Sequence, residues 1–61
     1  MPAPEPSYDK AIADLTEAIR LDPTDGKAYY TRFAAYDLKG EKVKAEADYD
    51  KAEELGYEPD Q

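Results

Sequence analysis

The sequence predicts an all-α chain of three helices, and three observations carry that expectation. Apolar residues recur at three- and four-residue spacing along three stretches. Helix-breaking residues separate those stretches, first as Asp22-Pro23-Thr24-Asp25-Gly26 and then at Gly40. The outer two stretches share one stripe: Ala11, Leu15, Ala18 and Leu21 recur as Ala45, Tyr49, Ala52 and Leu55, an offset of 34 residues.

Residues 1–6 read Met-Pro-Ala-Pro-Glu-Pro, and alternating prolines favour an extended lead over a helix. The helical domain is expected over 7–56, with helices at about 7–21, 26–39 and 41–55 and a short tail over 57–61. Ser7 supplies an N-cap for the first helix. That helix carries two adjacent apolar stripes, one of Tyr8, Ala11, Leu15 and Ala18 and one of Ile12 and Ile19 about Thr16, so it expects two neighbours. Pro23 biases Asp22 out of the helical region, Gly26 loosens the turn, and Asp25 is positioned to cap the second helix. In that helix Tyr29, Phe33 and Tyr36 are expected on one side. Gly40 and Gly56 are natural C-terminal stops. The third helix runs against its own dipole, with Lys42 and Lys44 in its first turn and Glu53 and Glu54 in its last.

Composition removes most chemistry. The chain has no Cys and no His, so thiolate nucleophiles, disulfides and the commonest metal ligand and general base are absent. Asp22 with Asp25, and Asp48 with Asp50, are the close acidic pairs, and neither has calcium-loop spacing; both read as solvated surface. The three glycines form no phosphate loop. No catalytic residue, metal ligand or cofactor site is therefore expected, and the chain does not read as an enzyme. A net charge of −7 argues against nucleic acid and anionic membrane as partners. With neither a signal-peptide pattern nor a membrane-length apolar run, a soluble, cytoplasmic protein is expected.

The period and the stripes together resemble the tetratricopeptide repeat (TPR) family, over Tyr8 to Pro59. The first-helix pattern Trp-x-x-Leu-Gly-x-x-Tyr appears as Tyr29-x-x-Arg32-Phe33-x-x-Tyr36. The second-helix pattern Ala-x-x-x-Phe appears as Ala45-x-x-x-Tyr49 and again as Ala11-x-x-x-Leu15. Pro23 matches the closing proline, while Pro59 arrives two residues late. The resemblance implies a right-handed helical array of one and a half repeats, a lone helix followed by one hairpin. Two positions depart from the pattern: Phe33 stands where the family has a small residue at the helix crossing, and Arg32 stands in place of Leu.

The resemblance also implies a function class, a module that binds a protein or peptide partner. The family's groove lies on the first helix of the hairpin, which carries over to Lys27, Tyr30, Thr31, Ala34, Asp37 and Leu38. Glu46, Asp50 and Glu53 make the outer face of the third helix polar, as a terminal cap requires. The first helix lacks its own hairpin partner, so Tyr8, Ala11, Leu15 and Ala18, with Phe33, are expected to support self-association as a homo-oligomer, a dimer being the commonest form. The alternative is a truncated or engineered repeat acting as a self-assembling scaffold, with helices exchanged between copies.

Overall fold

The computed structural model describes residues 7–59, and all regular structure among them is helical. Helix α1 spans Tyr8–Leu21, α2 Gly26–Lys39 and α3 Lys42–Glu54. Each end falls within one residue of the expected boundary. The Pro-rich lead, and residues 60 and 61 of the tail, lie outside the described residues.

Local hydrogen bonds explain why the helices begin and end where they do. The Ser7 hydroxyl oxygen accepts from the Lys10 N–H at 3.2 Å. The Asp25 carboxylate accepts from the N–H groups of Lys27 and Ala28, at 3.1 and 3.3 Å. Each bond satisfies a donor that the first turn of a helix leaves unpaired. Between these caps, the Asp22 carboxylate accepts from the Thr24 N–H and hydroxyl, closing the turn around Pro23. Gly40 and Gly56 adopt φ of 91° and 81°, the left-handed region that side chains avoid. Beyond them, Glu41 N–H donates to Tyr36 O and Tyr57 N–H to Ala52 O, the six-to-one bond that closes a helix at glycine. Helix α3 alone starts without a side-chain cap, since its N-cap residue Glu41 makes no capping hydrogen bond. The Glu41 carboxylate instead lies 3.2 Å from Lys39 and 3.3 Å from Lys44.

Helix α2 packs against both α1 and α3, and no Cα of α1 comes within 8 Å of one in α3. The buried apolar residues are Ala28, Ala35, Ala45 and Ala52. Small side chains let helix backbones approach, so close approach rather than bulky packing makes this core. Asp48 is buried among them, at 4% exposure. Its carboxylate takes two hydrogen bonds of 2.7 Å from the Arg32 guanidinium, which also donates to the Thr16 hydroxyl of α1 at 3.2 Å. Arg32 thus joins all three helices. Lys39 pairs with Asp9 of α1. Thr16 lies seven residues after Asp9 and Arg32 seven before Lys39, so both links report one antiparallel register of α1 on α2.

Four expectations are corrected or refined. Asp48 is not solvated helix surface; it is half of a buried ion pair. Tyr29, Phe33 and Tyr36, expected on one side of α2, take different partners: Arg32 lies over the Tyr29 and Tyr36 rings at 5.7 and 5.8 Å, while Phe33 packs on Tyr30 and Tyr49. Tyr49, on the apolar stripe that α3 shares with α1, is 40% exposed although its ring packs on Phe33 and Tyr30. Gly26 is no loosener of the turn. A Cβ there would come within 2.8 Å of the Tyr57 Cβ, so glycine is what allows the C-terminal segment to lie against α2.

Candidate functional site

Six residues of α2 were expected to line a groove, and the structure divides them. Lys27, Thr31, Asp37 and Leu38 are exposed, Leu38 to 67%, whereas Tyr30 and Ala34 are half-buried. The Thr31 hydroxyl donates to Lys27 O of its own helix at 2.8 Å. Asp37 stands 3.9 Å from Lys42, both well exposed, which contributes little. The open part of this face is a mixed strip of Lys27, Thr31, Asp37 and Leu38.

Tyr30 belongs to something more enclosed. Its ring centroid lies 5.3 Å from that of Phe33, 5.3 Å from Tyr57 and 6.3 Å from Tyr49. Phe33 and Tyr49 meet edge to face at 5.1 Å. Such tilted pairs add roughly 0.5–1.5 kcal/mol each beyond the area they bury. The residues Tyr30, Tyr49, Ala52, Glu53, Tyr57, Glu58 and Pro59 line a cleft of about 260 Å³. Three segments build it: α2 gives Tyr30, α3 gives Tyr49 and Ala52, and the chain after Gly56 gives Tyr57.

Sequence reasoning found Tyr30 but missed Tyr57, Glu58 and Pro59, which read only as a tail. A signal was present. The residue after a glycine stop commonly folds back onto the last turn of its helix, and an aromatic there needs a surface to cover it. Tyr57 meets both conditions.

The residues expected to support self-association are also divided. Tyr8, Leu15 and Ala18 are half-buried within the single chain, and Ala11 is exposed. Leu21, which continues their stripe, is 71% exposed. Phe33 is engaged inside the chain by the rings of Tyr30 and Tyr49. On α3, Glu46, Asp50 and Glu53 are all exposed.

Apart from the buried Arg32–Asp48 pair, the shifted groups among the described residues lie in turns and on helix surfaces. Hydrogen bonds from Thr24 lower the Asp22 carboxyl below its ordinary value, and Arg20 does the same for Glu17. Lys39, then Lys44, lower Glu41, while Asp9, then Glu41, raise Lys39. The Asp48 hydrogen bond raises Arg32 further above neutrality. No group of three or more acidic side chains among the described residues is arranged to hold a metal ion. None of the helices is long and apolar enough to cross a membrane. Compared with known families, curated proteins and solved structures, the chain matches none of them.

Proposed function

We propose that this chain is a non-enzymatic helical interaction module of the TPR kind, which holds a peptide or protein segment along α2 and in the tyrosine cleft beside it. The observation that carries the reading is the cleft, whose lining includes Tyr30 of α2, the helix that also exposes Lys27, Thr31 and Leu38. One strip and one cleft supply much less than the ~800 Å² per partner of a stable interface, so binding should be weak and transient. Loss of binding on Tyr30→Ala, with Lys27→Ala as a milder change, tests it in a peptide-array screen followed by titration. A ligand that binds both variants as well as the parent overturns the assignment.

A second reading, self-association through α1, is favoured by the exposure of Ala11 and of Leu21 along one stripe. Helix exchange between copies, at the short Lys39-Gly40-Glu41 link, belongs to the same reading. Light scattering across a hundredfold dilution tests it: the mass should fall from dimer to monomer, and Leu21→Asp should give monomer throughout. Leu21 suits the test better than Leu15, whose half-buried side chain also serves the fold. A single monomer mass at every concentration rules the reading out.

A further inference from the structure

We infer that the cleft between Tyr30, Tyr49 and Tyr57 receives one cationic side chain, arginine or lysine, from a basic peptide segment. This deepens the interaction-module reading and rests on it.

Size comes first. The cleft is small, about 260 Å³, and has room for a single inserted side chain. Chemistry comes next. The Tyr49 and Tyr57 rings tilt by 48° and 42° against Tyr30, so neither stacks face to face on it. The face of a tyrosine ring carries negative potential and attracts an ammonium or guanidinium group. Glu53 and Glu58 also line the cleft, both exposed, and neither joins an ion pair among the described residues. No lysine or arginine lines the cleft. Tyrosine rings together with carboxylates that pair with no cation among the described residues complement a long aliphatic stem with a charged head.

The chain already uses this chemistry internally. Arg32 lies over two tyrosine rings while its guanidinium is held by a carboxylate. The cleft offers the same two components, rings and carboxylates, with the cation left to the partner. A net charge of −7 would draw basic segments toward it.

The test is an amide NMR titration of the full chain with three short capped glycine-spaced peptides, containing arginine, citrulline or proline. Citrulline keeps the shape of arginine and removes its charge. The expected result is binding of the arginine peptide at least about fivefold tighter than the citrulline one, with shifts centred on Tyr30, Ala52, Tyr57 and Glu58. Tyr57→Leu, which keeps the Cβ packed on Gly26 and removes the ring face, should weaken binding by about threefold to tenfold at unchanged helicity. Glu53→Gln with Glu58→Gln should reduce both affinity and its salt dependence.

Equal binding of the citrulline or proline peptide overturns the cation assignment and leaves the interaction module standing. Shifts spread over Glu46 and Asp50, with no loss in Tyr57→Leu, overturn it in favour of diffuse attraction to an acidic surface. Absence of binding by every peptide at millimolar concentration overturns the cation assignment, and the array screen with Tyr30→Ala then decides the broader reading separately.

Discussion

Arg32 and Asp48 form the most buried ion pair among the described residues. Their side chains are 17% and 6% exposed and meet through two parallel hydrogen bonds. A planar guanidinium matches a carboxylate in this geometry, which lysine could not reproduce. Removing one partner of a buried pair strands the other charge, at about 3–5 kcal/mol. A core in a domain below about 70 residues seldom supplies more than that in total. Asp48→Ala should therefore abolish most of the helicity at 25 °C, read by circular dichroism. Replacing both charges, as Arg32→Met with Asp48→Leu, should recover stability to within about 1 kcal/mol of the parent in urea melts, since matched apolar side chains often substitute for buried pairs. Should Asp48→Ala cost less than about 1 kcal/mol, the pair is not what holds the helices. At this scale the sequence was only half legible. Arg32 stood out as a departure from the TPR pattern, but its partner lies 16 residues away on another helix and looks like surface.

Helix ends were the most legible feature. Ser7, Asp25, Gly40 and Gly56 act within three or four residues of themselves, so their roles follow from local geometry alone. The same local contacts give the elements a pH dependence. Glu17, Asp22 and Glu41 titrate below their ordinary values of 4.5, 3.8 and 4.5 because Arg20, Thr24 and Lys39 hold their charged forms. A group lowered on folding contributes stability above its unfolded value and loses it as pH falls through the folded one. Lys39 is raised above 10.5, mainly by Asp9, so its contribution is present below that value and fades on the alkaline side. Thermal stability should be level between about pH 5 and pH 9 and should decline as pH drops below about 4.5. Asp22→Asn should shallow that acid limb. A midpoint that rises on acidification would mean that repulsion among the fifteen acidic side chains outweighs these contacts.

Across the whole molecule, charge bears on the association of copies. Two chains of net −7 repel, so any dimer formed through Ala11 and Leu21 should tighten as salt shortens the reach of that repulsion. The dilution experiment repeated at low and at physiological ionic strength should show a higher dimer fraction at the latter. A dimer that weakens with salt would instead be held by ion pairs, and the α1 stripe would not be its interface.

The sequence by itself determined three helices, their order and nearly every boundary, because capping, proline geometry and left-handed glycine are decided by neighbours along the chain. It also determined the 34-residue recurrence on which the TPR resemblance rests. Tertiary structure decided what the side chains became. Asp48 was buried, Tyr29 and Tyr36 were drawn to Arg32, and Tyr30, Tyr49 and Tyr57 were gathered into one cleft. The physical reason is distance along the chain. An ion pair or a ring cluster acquires its energy only when residues far apart in sequence come into contact, and that contact exists only once the antiparallel register of the helices is set.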